Sequence, residues 1–443
     1  MAVDFGKKAF GGISMRLGSR TRAHRQLFSK TPSSFKFITH SNNIYFTIPV
    51  ITETLKAFDF IVVGGGTAGC VVAGRLAENP NVSVLVVEAG IGNPSAVDAI
   101  TTPATACTLR GSRYDWAFKT GMIDRPEYTR IEKPNTRGKV LGGSSCLNYY
   151  TWIPGSAATF DDWAEFGGEG WTWNTCKDYI YKACFRDALT KVWTHAKQLI
   201  FESGRVVGVE VIDRDGGILN LRADYEVIVS LGVYETPKLL LLSGIGPKEE
   251  LNKFNINTVV KSEHVGQNLL DHPILPHGPM TTGLLELLGL PRIDSYLEKA
   301  PEYVEFKKSN GNVDPFGPGG QPHFEIDFVP MFCDAFQWHI PTPPQGNCLT
   351  VIVDLLRPLS RNGTVTLKSS NPLEQAKINL NFFSNDPDLV AMRQGIRFVD
   401  DILLNGEGMK DIIEEDYPWA MLRTSDEAMD ILIKERSQTG FRE

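Results

Sequence analysis

A chain of 443 residues, 42% apolar and 22% charged, is long enough for about two domains and has a globular balance, which excludes disordered and fibrous classes. Its formal net charge of −7 offers no general attraction for nucleic acid, and no run approaches the ~18 apolar residues of a membrane span. Seven scattered cysteines (Cys70, Cys107, Cys146, Cys176, Cys184, Cys333, Cys348) include no C-x-x-C pair. They indicate neither a zinc ribbon nor a disulfide framework and read as mostly buried thiols.

The first fifty residues set Lys7, Lys8, Arg16, Arg20, Arg22, Arg25, Lys30 and Lys36 against one acid, Asp4. No apolar core of secretory length lies near the start. Residues 1–55 therefore read as a disordered leader, with a mitochondrial transit peptide or translated sequence outside the true start as alternatives. An intracellular location is expected over a secreted one.

Phe60–Val63 is a short apolar run suited to a strand buried on both faces of a parallel sheet. It runs into Gly64, Gly66 and Gly69, spaced G-x-G-x-x-G, and then into a helical pattern. Ala68, Val71, Val72, Leu76 and Ala77 can share that helix's inner face. Asn79-Pro80 ends it, Val82–Val87 reads as the next parallel strand, and Glu88 stands at its tip. Gly64 permits a tight turn, Gly66 lets backbone approach a pyrophosphate, and Gly69 allows close helix–strand packing. The helix start at Thr67 and Ala68 offers free N–H groups to phosphates, and Glu88 falls where an acid would bind a ribose hydroxyl. A dinucleotide is expected here.

Further on, Gly142-Gly143-Ser144-Ser145 is a loop of little bulk and many donors, suited to a flat or anionic ligand, with Asn148 just beyond. Phe160–Lys182 carries Trp163, Trp171, Trp173 and Tyr179, read as a helix and loop packed on the core. Lys191–Phe201 and Arg205–Asp213 read as a hairpin, and Tyr225–Leu231 as another buried strand. Pro237 then suits a helix start and Gly244 its end. Thr258–Val260 reads as a short strand before His264–Pro273. Beyond Pro273 one polar helix is expected near Ile293–Lys307, and strands at Phe324–Phe332, Leu349–Leu356 and Gly363–Lys368. The alternation across Phe324–Phe328 suggests an antiparallel sheet with one wet face. Asp386–Leu404 is an amphipathic helix with Leu389, Met392, Ile396 and Val399 as its core stripe.

Four of these stretches, Gly64–Gly69 with Glu88, Gly138–Asn148, Glu235–Gly246 and Val265–His272, resemble the glucose–methanol–choline (GMC) oxidoreductases in that family's order, over about Phe58 to Leu404. The sequence is similar to the fungal alcohol-oxidising members in particular. The resemblance implies an α/β fold: a Rossmann-like FAD-binding domain from 56–182 and 189–275, plus an α+β substrate domain with an antiparallel sheet from 276–443. It implies FAD rather than NAD. The adenosine diphosphate would lie at Gly64, Gly66, Thr67, Ala68, Gly69 and Glu88. The flavin ring would lie near Val140, Gly142 and Gly143 and near Asn148, Tyr149, Tyr150 and Thr151. The expected activity is oxidation of a small alcohol by hydride transfer to the flavin while a histidine takes the hydroxyl proton.

The sequence departs from the family twice. Between Lys182 and Leu189, where the family carries a long segment, Ala183–Asp187 joins the flanks, and the chain stops at Phe441-Arg442-Glu443, where the family goes on to its catalytic histidine. The resemblance therefore implies impaired activity, with a non-catalytic flavin-binding remnant as one alternative and an NAD-dependent dehydrogenase as another. The eight histidines offer no evident base. His24 and His40 lie in the leader, and His264 and His272 in a turn motif. His195 sits beside the expected adenine, while His277, His323 and His339 read as packed or solvated. No catalytic residue and no metal site is assigned, and the lack of a G-x-S-x-G elbow disfavours a hydrolase.

Overall fold

The computed structural model describes residues 57–121, 132–148, 155–180, 189–277, 287–329, 349–411 and 421–440. β1 (Phe58–Val63) and β2 (Val84–Val87) pair in parallel, Phe60 opposite Val84 through Val63 opposite Val87. The helix Thr67–Leu76 makes the crossover between them. Ile61, Val62 and Val63 are fully buried, as expected for β-branched side chains in a strand covered on both faces. The helix turns Gly69, Val72, Ala73 and Leu76 inward, whereas Ala68 and Val71 are exposed. The predicted inner face is thus rotated by about one residue, because Gly69 and Ala73 let the helix approach the sheet more closely than Val71 would.

β3 (Phe118–Gly121) and β4 (Glu132–Asn135) leave this sheet for another. β5 (Leu189–Lys191) returns to pair with β2, and β6 (His195–Glu202), β7 (Arg205–Ile212) and β8 (Ile218–Val229) form an antiparallel meander. β8 pairs in parallel with β1, which gives the order β5-β2-β1-β8-β7-β6. β8 begins seven residues before the predicted Tyr225, since its first half pairs with β7 and only its second half enters the parallel sheet. The following helix, Gly232–Leu242, starts well before the predicted Pro237, which sits inside it. Thr236 helps the early start, its hydroxyl accepting from the Leu231 N–H at 3.1 Å.

A short parallel pair, β9 (Ile245–Gly246) and β10 (Val260–Lys261), precedes the second region. There β11 (Pro273–His277), β12 (Leu287–Gly289), β13 (Phe324–Val329) and β14 (Thr350–Leu355) build an antiparallel sheet. With β17 (Gln438–Thr439) its order is β12-β13-β14-β11-β17. β15 (Thr364–Thr366) and β16 (Lys377–Asn379) complete a four-stranded sheet with β3 and β4. The largest core joins Phe324, Ile326, Val351 and Val353 to the stripe Leu389, Met392, Ile396 and Val399 of the helix Asp386–Asn405. The polar helix near Ile293–Lys307 is two pieces, Asp294–Leu297 and Pro301–Ser309, with Pro301 opening the second.

Two burial expectations fail. The predicted wet face of Phe324–Phe328 is buried, Glu325 and Asp327 included. The helices Ala157–Gly167 and Trp173–Ile180 bury no residue, and Phe166 is 91% exposed. Their aromatics pack on one another instead, Phe160 lying 5.0 Å from Trp163 and 5.2 Å from Trp173 between ring centroids. Of the seven cysteines, Cys70, Cys146 and Cys176 are free and half-buried, and Cys184, Cys333 and Cys348 lie outside the described residues. No described helix is long and apolar enough to cross a membrane.

Candidate cofactor site

The turn after β1 is held from both sides. Gly64 has φ +102°, and a Cβ there would lie 2.3 Å from the Ser230 carbonyl oxygen. A Cβ on Gly69 would lie 1.9 Å from the Gly64 oxygen, so helix and turn touch through bare backbone. Gly66 differs. Its φ of −78° suits any residue, and a Cβ would meet nothing nearer than the Gly143 Cα at 3.9 Å. No internal contact requires glycine there. What it preserves is open space in front of a helix N-terminus that has no side-chain cap. Unclaimed N–H groups, the positive end of the helix dipole and space for a phosphate coincide at Gly66, Thr67 and Ala68.

The second glycine loop closes on the first. The Gly142 N–H donates to the Gly65 oxygen at 2.7 Å, and the Thr67 and Ser145 hydroxyls lie 2.7 Å apart. Val140 is fully buried and anchors the loop, while Asn148 is exposed at its end. Tyr149, Tyr150 and Thr151 lie outside the described residues. The structure thus brings Gly64–Gly69 and Val140–Gly143 together at one cleft.

Glu88, 6% exposed at the tip of β2, accepts from the Gly65 N–H at 3.0 Å and the Gly90 N–H at 2.8 Å. Burial pushes its carboxyl up, against the pull of these N–H groups. A carboxylate has about four acceptor positions, so the N–H groups of Gly65, Ala89 and Gly90 leave capacity for a ribose hydroxyl.

Beside Glu88 lies a small cleft lined among others by Trp116, His195, Glu235 and Lys238. The Trp116 ring meets His195 edge-on at 5.6 Å, with the Lys139 Nζ 4.6 Å from its centre. Burial, with Lys139 and Lys238 adding, pulls His195 down to about 4, so it is neutral near pH 7. Lys238 pairs with Glu235 at 3.0 Å. Of these residues the sequence singled out His195 beside the expected adenine, while Lys139, Glu235 and Lys238 fell within the stretches Gly138–Asn148 and Glu235–Gly246 without a role of their own. The others come from three separate segments with no shared spacing, and only the fold unites them.

His323, fully buried, is committed elsewhere. Its Nδ1 accepts from the Ile293 N–H at 3.0 Å and its Nε2 lies 2.7 Å from Asp314. Asp294, Asp314 and His323 converge closely enough to hold a cation, but the Arg292 guanidinium already fills that role, at 2.6 Å from Asp294 and 2.7 Å from Asp314.

Comparison with known proteins matches residues 58–189 and 182–274 to the N-terminal region of GMC oxidoreductases, and 358–441 to their C-terminal region. The chain is similar to an oxygen-dependent choline dehydrogenase of Brucella anthropi, 26% identical and spanning 86% of this chain and 84% of the relative. It is similar also to an ecdysone oxidase of Spodoptera littoralis, 28% identical over 76% and 74%. Among solved structures, an Aspergillus oryzae formate oxidase variant described for its effect on FAD modification is 44% identical, covers 88% of both chains and superposes with a TM-score of 0.83.

Proposed function

The chain belongs to the GMC oxidoreductases, FAD-dependent flavoproteins, and on that footing we propose that it oxidises the CH–OH group of a small alcohol. The observation that carries the cofactor assignment is the open space at Gly66 before an uncapped helix N-terminus, joined to the Gly142-Gly143 loop. In this reading Gly66, Thr67, Ala68 and Gly69 hold the pyrophosphate and Glu88 holds a ribose hydroxyl. Trp116 and neutral His195 flank the adenine, and Val140, Gly142, Gly143 and Asn148–Thr151 border the isoalloxazine. When bound, FAD supplies the hydride acceptor. Neutral His195 adds no positive charge at the adenine end, and Glu88 fixes the turn that aims the N–H groups at the phosphates.

A second reading, oxidation of formate, draws on the 44% identity to a formate oxidase. Anaerobic mixing of the FAD-loaded protein with primary and secondary alcohols, choline and formate separates the two. Because no described histidine is assigned as a base, slow, impaired bleaching of the flavin absorption by an alcohol is the expected result. Bleaching by formate with none by any alcohol would replace the first reading with the second, and bleaching by dithionite alone would remove both.

A further inference from the structure

Trp193 is held in a conformation that bulky side chains avoid. Its φ is +56°, in the left-handed region, where the side chain crowds its own backbone. The Trp193 N–H donates to the Gly90 oxygen at 3.0 Å and the Thr194 N–H to the Glu88 oxygen at 2.9 Å. The strained residue is thus pinned to the backbone that follows β2. Two guanidinium groups meet its ring. The Arg113 Cζ lies 5.2 Å from the ring centre and the Arg214 Cζ 5.6 Å. Arg113 comes from the loop before β3 and Arg214 from the turn between β7 and β8, and both are exposed.

Among the described residues neither guanidinium has a carboxylate partner. Arg222, on the neighbouring β8, shows the ordinary alternative, donating to both Glu202 oxygens at 2.7 and 2.9 Å. The acids beside Arg113 and Arg214 in sequence serve the backbone instead. Asp115 accepts from the N–H groups of Gly111, Ala117 and Arg137, and Asp213 from those of Asp215 and Gly217. Asp215, exposed in the turn, makes no ion pair with Arg214. One cation would satisfy the ring, and two like charges drawn to it repel each other. A guanidinium lying over a ring keeps its N–H edge unspent, in the fork geometry that matches carboxylate and phosphate oxygens. Backbone strain that the surrounding structure imposes is concentrated at ligand clamps. Strain, paired positive charge and unspent donors coincide here, and together they fit a ligand with two negative charges. A cation would be repelled, and an apolar ligand would leave the donors unmatched.

We propose that Arg113, Trp193 and Arg214 form a clasp for a small dianionic oxoanion, a phosphoryl group or a dicarboxylate. The clasp stands beside the cofactor cleft, whose lining includes the next residue, Thr194. The test is a calorimetric titration of the FAD-loaded full chain with inorganic phosphate and with succinate, at ionic strength held constant with sodium chloride. A pH of about 8 keeps phosphate a dianion. Saturable binding is expected, tighter phosphate marking a phosphoryl ligand and tighter succinate a dicarboxylate. Arg113→Gln and Arg214→Gln change exposed side chains, so each should keep the melting temperature and weaken the anion roughly tenfold or more. Trp193→Gly suits the φ of +56° and removes the ring that gathers the two arginines. It should keep the fold, retain FAD and weaken the anion as well. Three results would overturn the proposal: no saturable binding of either anion, affinity unchanged in any of these folded variants, or binding confined to flavin-free chain. The last would assign the two guanidinium groups to the cofactor's own phosphates.

Discussion

Replacing Gly66 with valine should separate the fold from the cofactor. The φ of −78° and ψ of −165° are extended backbone that valine adopts readily, and the nearest atom to a new Cβ is 3.9 Å away. The ligand-free protein should therefore change in stability by no more than about 1 kcal/mol. With FAD the same methyl groups stand where a phosphate must reach the helix N–H groups. Two charge-assisted hydrogen bonds at ~1.5–3 kcal/mol each make a loss of about 3–6 kcal/mol, or roughly 10²–10⁴ in Kd. Gly69→Ala is the control. Its Cβ would sit 1.9 Å from the Gly64 oxygen, so helix or turn must move, and the ligand-free protein should lose ~1–3 kcal/mol. Urea unfolding of the flavin-free variants and FAD titration by fluorescence give the two numbers. Wild-type affinity in Gly66→Val, or a stability loss matching that of Gly69→Ala, would refute the reasoning.

Lys133, 2% exposed on β4, donates to the Glu435 carbonyl at 2.7 Å and to the Ser437 carbonyl, tying the end of the helix Asp426–Arg436 to the four-stranded sheet. Lys133→Met should cost ~2–4 kcal/mol in chemical denaturation, because it leaves two carbonyls without that donor. Asp327 gives a pH dependence of stability. Its folded value of about 7 exceeds the ordinary 3.8, so the folded chain keeps a proton that the unfolded chain has lost in between. That contribution is complete below the lower value and fades as pH rises through about 7. The unfolding free energy should therefore fall by a few kcal/mol between about pH 4 and pH 8, and Asp327→Asn should flatten this slope. Phe166→Ser, at a side chain 91% exposed, should leave the melting temperature unchanged and raise solubility, as seen in light scattering.

The residues whose roles were legible in sequence are those whose chemistry is local. Gly64 and Gly69 act within one β-α-β unit, where spacing alone fixes which backbone atoms meet, and the stripe Leu389–Val399 repeats on a single helix. Burial is a tertiary property, and there the sequence misleads. Glu325 and Asp327 alternate with Phe324, Ile326 and Phe328 just as a solvated strand would, yet that face is covered. The aromatics of Phe160–Tyr179 have the composition of a core segment, but the helices that carry them find only each other. Trp116 and Lys238 reach the cofactor cleft from segments over a hundred residues apart, a proximity that no local pattern encodes.

The central claim is that the two glycine loops enclose FAD. The direct measurement is the identity and amount of nucleotide released when the purified protein is heat-denatured, for wild type and Gly66→Val side by side. The account predicts FAD close to one per chain from the wild type and little from the variant. Wild-type protein that releases no flavin, even after incubation with FAD, yet binds NADH tightly would contradict it.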